Sequence, residues 1–348
     1  MIDEGDVAFR ASRGNFAVVW TQSKGPGIPE YQEWSRLSSE EWVTLASELR
    51  EATGVDCGHR RNGGIHVCLS DEEFDKRRKL VERIRSESRD HRYEARMLDR
   101  GEMLSLLPTF GSEVMGGSFC PADGHVNPLY TLRALHAAYM ARGGRYLNDS
   151  RVQAIDAAPN RFTVKTKSAT ITAPKLVLAA GLGNRDLGKL VGLDVPVRPV
   201  RGQIIVTERL APVLEYATTT IRQTVEGSIL IGESREESGF DDFTTREVGR
   251  KLADRAVRIF PFLKNVGVVR TWAALRVMSP DSFPIYQQSE SAPGAFVCTC
   301  HSGVTLAAAH AKHYAKFVAE GRLPEFLSPF TPARFAGMTP EQLSAGGH

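Results

Sequence analysis

No apolar run in this sequence approaches the roughly 20 residues that a helix needs to cross a bilayer. No charged-then-apolar leader precedes the first strand either, and both absences point to the cytoplasm. An excess of one charge is lacking as well. The 44 basic and 41 acidic residues leave a formal net charge of +3, too even for nucleic acid or an anionic membrane as the main partner. The steepest basic stretch, "DKRRKLVERIRSESRDHR" at 75–92, interleaves its arginines with acids, and with Phe74 it sets Val81 and Ile84 on one stripe, as a solvated amphipathic helix does. Cysteines are few. Cys57, Cys68, Cys120, Cys298 and Cys300 are odd in number and repeat no metal-ligand spacing, which fits free thiols in a reducing compartment and indicates no metal site. The CxC of "AFVCTCHSG" lies in a run that alternates like a buried strand, so its cysteines read as small core residues. Also missing are G-x-S-x-G, H-E-x-x-H and a glycine-rich phosphate loop with lysine, which removes the serine hydrolase, zinc enzyme and kinase readings.

What is present is an ordinary globular composition over 348 residues, long enough for two intertwined domains. "SSEEWVTLASELREAT" (38–53) carries Trp42, Leu45, Ala46 and Leu49 at helical spacing behind a serine and glutamate start signal. "GGIHVCLS" (63–70) alternates as a strand, and the charged helix 71–89 follows it. "DGHVNPLYTLRALHAAYMARGG" gives a turn, a helix and a glycine stop. Short strands are expected at 150–157, 161–166 and 169–173. "APKLVLAAGLGN" (173–184) has the look of a buried parallel strand whose tip approaches a ligand. "VPVRPVRGQIIVTE" (195–208) and "GSILIGESREESGFDD" (227–242) read as strands of a largely antiparallel sheet, and 246–260 reads as a helix. Residues 294–321 predict a strand, a glycine loop and a helix, a shape that aims a helix N-terminus at an anion or a carbonyl oxygen. The tail from about 330 reads as loosely held. The chain therefore passes more than once between two domains, and a ligand is expected at their junction.

The opening residues "MIDEGD" read as the end of a buried strand closing on Asp3 and Glu4, with Gly5 as the turn. In a dinucleotide-binding fold, an acid at the tip of the second strand hydrogen-bonds a ribose. A first strand and a G-x-G-x-x-G turn are expected ahead of it, and neither is in the sequence.

Together these segments resemble the FAD-dependent oxidoreductases of the D-amino-acid oxidase superfamily, nearest in appearance to the β-type subunits of D-hydroxyproline, octopine and nopaline dehydrogenases. The ordered blocks that carry the resemblance are "IDEGD" (2–6), "RASRGNF" (10–16), "DGHVNP", "VLAAGLGN" (177–184), "PVRGQ" (199–203), "GESREESGFDD" (232–242), "TWAALRVMSPDSFPI" (271–285) and "HSGVTLAAA" (301–309). They run from Met1 to about residue 325.

The resemblance implies an α/β fold, α+β overall. A Rossmann-like FAD-binding domain, incomplete at its N-terminus, would take residues 1–55, 120–195 and 270–330. An antiparallel-sheet substrate domain would take 56–119 and 196–269, leaving 331–348 as a tail. It implies FAD held without a covalent bond, contacted by Asp3, Ser12, Arg13, Gly14, Asn15, Ala180, Gly181, Ser302, Gly303, Val304 and Thr305. The implied reaction moves a hydride from the Cα–H of a D-amino acid, or of a secondary or N-substituted amino acid, to flavin N5, giving an imine. The amine's own lone pair drives that transfer, so the protein supplies position and electrostatics rather than an obligatory base.

Arg276 matches the position of the arginine that grips the substrate carboxylate, where a planar fork gives two parallel charge-assisted hydrogen bonds. The bland alternative for Arg276 is a structural salt bridge. His301 lies in the flavin loop and either takes part in proton movement or holds the loop. Arg201 reads as a bridge between strands, and His66 as a strand residue that either faces the pocket or does not. Partner subunits that receive electrons are implied by the likeness to the β-type chains.

Departures stand beside the matches: Ala274 replaces the usual glycine and Val277 the usual proline. The absent G-x-G-x-x-G leaves a second reading, a truncated or non-catalytic binding subunit, or a start site set too late. A third, nicotinamide-dependent reading rests on "GLGNRD" (181–186), which follows a late strand and lacks the third glycine.

Overall fold

A computed structural model describes residues 1–5, 11–232 and 234–345. Asp6, Arg10 and Glu233, which belong to three of the blocks above, lie outside the described residues, as does the end of the tail. Among the described residues the strands fall into five sheets. One four-stranded antiparallel sheet runs in the order Ile221–Gln223, Ser228–Ile231, Arg198–Arg209, Val268–Met278. A second runs Ala217–Thr218, Gly64–Cys68, Gly116–Cys120, Arg96–Asp99, with its first pair parallel. Ile65, Ile205, Ile229, Ile231, Ile259 and Phe260 form one core between these sheets and the helix Arg246–Ile259. Burial of each such side chain contributes about 1.5–3 kcal/mol relative to exposure, so this core fixes the two sheets against each other.

A three-stranded sheet orders Ile285–Gln288, Ala295–Thr299 and Leu176–Leu178, the last pair parallel. Beside it lies the meander Val152–Ala158, Arg161–Thr166, Thr170–Ala173. Phe162, Leu178, Val277, Ile285 and Val297 join both to the end of the long strand Val268–Met278. The expected strand over 173–184 is thus only three residues long. It stops where Ala180 N–H donates to Asn184 Oδ1 and the chain turns into a short helix. Likewise only Ser228–Ile231 of 227–242 is strand. After Gly232 the described backbone rejoins the sheet through an isolated bridge, Glu236 to Arg201.

The helix expected from Ser38 begins at Pro29 and ends at Gly54, whose left-handed φ of 72° lets its N–H reach Arg50 O. Ser38 and Ser39 do not start it. They are buried, with Ser38 Oγ accepting from Ala309 N–H and Ser39 Oγ donating to Ala122 O. The charged helix Asp71–Glu87 follows the sequence closely, with Ser70 accepting from Glu73 N–H and Val81 and Ile84 buried. On its inner side Arg77 is buried too and binds Ser118, Ser23 and Gln22.

All five thiols are free. No helix among the described residues is long and apolar enough to cross a membrane. Residues just past 330 are tied down, contrary to expectation. Arg334 pairs with Asp281, and Phe335 joins the core around Phe162.

Candidate functional site

The long strand Val268–Met278 organises the site, although its mixed sequence "VVRTWAALRVM" shows no strand alternation. It pairs with Arg198–Arg209 in a register that sets Arg276 opposite Val200 and Ala274 opposite Gly202. Across that ladder the Arg276 guanidinium lies over Gly202. A Cβ at Gly202 would sit 2.3 Å from Arg276 Nη1 and 2.5 Å from its Cζ. Arg276 Nη1 donates to Arg201 O (3.1 Å) and Ser234 O (2.6 Å). Both carbonyl oxygens help to orient the fork. Arg201 bridges as the sequence suggests: its guanidinium pairs with Glu236 (2.7 Å) and Asp241 (2.6 Å), fastening 234–241 to the sheet.

The same strand touches two of the expected cofactor segments. At Ala274 it meets Gly14, where an added Cβ would lie 2.4 Å from the alanine methyl, and Trp272 Nε1 donates to Gly14 O at 3.0 Å. The departure at Ala274 is therefore matched by the absence of a side chain at Gly14. Val277, buried where a proline is usual, stands 3.3 Å from the Cβ position of Gly181, whose φ is +58°. Arg276 is thus mounted between two of the expected cofactor segments on one strand.

Ser12 and Arg13 are exposed in a single helical turn, Ala11–Gly14. Asn15 closes that turn through Nδ2 to Ala11 O and Ser12 O, and its Oδ1 is buried with no hydrogen-bond partner. Immediately after it, Phe16 O accepts from Nε of the fully buried Arg222 at 2.6 Å, which pins the segment.

On the far side, a helix starts at Gly303 and continues through a π turn, His310–Tyr314, to Glu320. Ser302 precedes it without capping it, and Lys24 Nζ donates to Ser302 Oγ at 2.5 Å. A Cβ at Gly303 would meet nothing within 4 Å, so the start of the helix faces open space. Val304 O accepts from Trp42 Nε1. The Thr305 hydroxyl accepts from Trp20 N–H and donates to Val18 O, so it braces the helix and leaves its backbone as the group for a ligand. His301 is held well below the usual imidazole range by burial first, then by the positive charges of Lys24, Arg276 and Arg235. It is neutral at physiological pH.

Asp3 lies beside the segment that follows the helix Pro128–Ala141. Its backbone joins Leu147 and Ser150, and its Oδ1 accepts from Gly5 N–H at 2.8 Å. His66 bonds Thr219 Oγ1 within the second sheet (3.0 Å). Sequence reasoning missed Lys24, Arg235 and Gly202, because a loop lysine, an exposed arginine and a strand glycine carry no spacing signal.

The residues fit a flavin. Asn15 Oδ1 is an orphaned buried acceptor, the loop at Gly181 has no side chain to obstruct approach, and an uncapped helix start offers N–H groups to an electron-rich ring oxygen.

Gly202→Ala tests the placement of Arg276. The new methyl displaces the guanidinium at little cost to the fold, since the clash is with the end of a flexible side chain. The expected result is a loss of about tenfold or more in kcat/KM, carried mainly by KM, with stability lowered by only about 1 kcal/mol. Steady-state kinetics and thermal melts check it.

The profile of the family described as FAD dependent oxidoreductase matches residues 1–317. An opine oxidase chain of Agrobacterium tumefaciens (strain Ach5), one of that enzyme's subunits, is 41% identical over 335 residues, covering 96% of this chain and 90% of that protein. Glycine oxidase of Geobacillus kaustophilus (strain HTA426) is 26% identical over 301 residues, covering 84% and 79%. The crystal structure of glycine oxidase from Geobacillus kaustophilus shares the fold, with a TM-score of 0.84 at 24% identity over 95% of this chain and 90% of that one. The profile match and the opine oxidase relative extend through the strand of Arg276 and the loop of His301, so the chain belongs to the FAD-dependent oxidoreductases of the D-amino-acid oxidase type.

Proposed function

We propose that this chain oxidises a secondary, N-substituted amino acid, or a D-amino acid, at the carbon bearing nitrogen. The observation that carries the reading is the mounting of Arg276 between Gly14 and Gly181 on one strand. A carboxylate gripped there is set beside the segments suited to the cofactor, which fixes the neighbouring C–H in position. The relative named opine oxidase favours the N-substituted class.

When bound, FAD supplies a two-electron acceptor for a hydride from that carbon. Asn15, Gly181 and the backbone of 302–305 would hold it without a covalent link, with Asp3 and the turn at Ser12 and Arg13 serving its nucleotide end. Arg276 binds the substrate carboxylate. His301, being neutral, can accept a hydrogen bond from the amine at a ring nitrogen. The imine product is then open to water.

In this reading residues 1–55, 120–195 and 270–330 carry the cofactor, while 56–119 and 196–269 carry the substrate. The relative's name as one subunit of an oxidase supports partner chains, which in this reading receive the electrons.

The test is anaerobic. The purified chain is titrated with FAD and then mixed with N-carboxyalkyl amino acids, N-methyl amino acids or D-amino acids. Bleaching of the visible flavin bands by one of these is the expected result. Bands that persist with every amine overturn the reading.

A further inference from the structure

Arg222 lies on the edge strand Ile221–Gln223, yet only 2% of it is exposed. An arginine at a sheet edge ordinarily carries its charge out to water. This one turns inward. Its Nε donates to Phe16 O at 2.6 Å, and Cζ lies 5.6 Å from the centroid of the Phe16 ring. Among the described residues no carboxylate comes within ion-pair distance of it. Glu226, whose charge acts on Arg222 from further off, accepts from Asn127 Nδ2 instead (3.3 Å). Burial pulls the guanidinium down to about 10, which still leaves it a cation at physiological pH. A buried cation without a paired anion is costly to a fold, and its presence calls for a role.

The residue it holds adjoins the turn suited to the flavin. Asn15, with its orphaned buried Oδ1, precedes Phe16, and Ala17 follows it with a left-handed φ of +63°. An alanine keeps that conformation where its neighbours enforce it. Arg222 bonds the carbonyl before Ala17, and Val126 N–H donates to the carbonyl of Ala17 itself. The one titratable group paired to the next strand residue brings no counter-charge. His125, opposite Val18, is buried with Nδ1 unpartnered, and burial first, then the positive charge of Arg222, hold it down to about 3.

A hydride delivered to a neutral oxidised flavin leaves the ring with one negative charge, the electron pair having come from the donor carbon. A fixed cation in a poorly hydrated site stabilises such a charge without reorganising, and it acts over several ångströms because little water screens it. We propose that Arg222 sets the reduction potential of the bound flavin, its buried and unpaired charge favouring the anionic reduced state. The inference uses the fit of the 15–17 turn to the flavin and holds whichever amine is the substrate. Arg222 is a positioning residue for the turn through Nε and an electrostatic one through its charge, and the two roles separate by substitution.

Arg222→Lys keeps the charge. Arg222→Gln keeps an N–H donor and removes the charge, and Arg222→Met is a second neutral side chain. Each chain is loaded with FAD, thermal melts establish that it is folded, and its potential is measured anaerobically against a reference dye. The equilibrium constant for two-electron reduction is expected to fall about tenfold or more in the neutral variants, with about 30 mV for each tenfold, and to stay within about threefold of wild type in Arg222→Lys. By linkage the same factor should appear as weaker binding of reduced FAD, with binding of oxidised FAD little changed. A residue that serves only as a pin would move the lysine and neutral variants alike, or weaken both forms of FAD equally. An arginine that serves a substrate carboxylate would leave the potential unchanged while Arg222→Gln weakens binding of methylthioacetate, a redox-inert acid, to the oxidised protein. Each of these outcomes overturns the inference. A wild-type chain that takes up no FAD fails the fit of the turn, and the inference with it.

Discussion

Arg276→Lys is expected to lower kcat/KM for amino-acid substrates by about two to three orders of magnitude, equivalent to about 3–4 kcal/mol of transition-state binding. The argument is geometric. Arg276 Nη1 donates to Arg201 O and Ser234 O, which fixes the plane of the fork. Lysine offers a single mobile ammonium, which can satisfy those carbonyls or the carboxylate but cannot repeat the planar two-bond grip. The substrate would then bind in several orientations, few of which bring its C–H to the acceptor. Flavin content should match that of the wild type, because Gly14, Asn15 and Gly181 are untouched. Stopped-flow reduction with a flavin absorbance control checks both halves. Unchanged kinetics would remove Arg276 from the site, and lost flavin would make its role structural.

Asp123→Ala is expected to cost about 4 kcal/mol of stability or more, enough to leave little folded protein. Asp123 is fully buried and accepts from Thr21 N–H, Thr21 Oγ1 (2.7 Å), Gln22 N–H (3.3 Å) and Gln22 Nε2 (2.7 Å). Truncation strands those donors in a site closed to water. The milder Asp123→Asn keeps one acceptor oxygen and isolates the ionisation. Burial raises the Asp123 carboxyl from 3.8 to about 6, against the opposing pull of the Thr21 and Gln22 hydrogen bonds. A carboxyl raised on folding stabilises fully below its unfolded value and loses that contribution as pH rises through the folded one. The stability difference, wild type minus Asp123→Asn, should therefore shrink by about 2–3 kcal/mol between pH 4 and pH 7. Urea unfolding of both proteins across that range measures it. A difference that grows with pH would mean that the hydrogen bonds, rather than burial, set the ionisation.

Much of this could be read from residues in order. The meander at 152–173 and the charged helix at 71–87 follow from local alternation and capping, which neighbours in sequence determine. Arg276, Gly14 and Gly181 came from ordered blocks, and the strand Val268–Met278 does bring them together. That strand itself was not legible, because its pairing is with residues some 70 positions away and its face is mixed. Asp123 reads as a turn acid in "ADGH", yet it is a core residue, and only the distant Thr21 and Gln22 make it one. Lys24 was hidden for the same reason: its meaning depends on Ser302, 278 residues later.

The strand Val268–Met278 also acts as a ruler. Trp272 grips Gly14 at one mark and Arg276 stands four residues further on, a spacing of about 13 Å along an extended chain. Side chains alternate from face to face, so one inserted or deleted residue between those marks would turn Arg276 away from Gly202 and towards the opposite side of the sheet. The interval from 272 to 276 is barred to length variation, and drift there is confined to substitutions that keep the count.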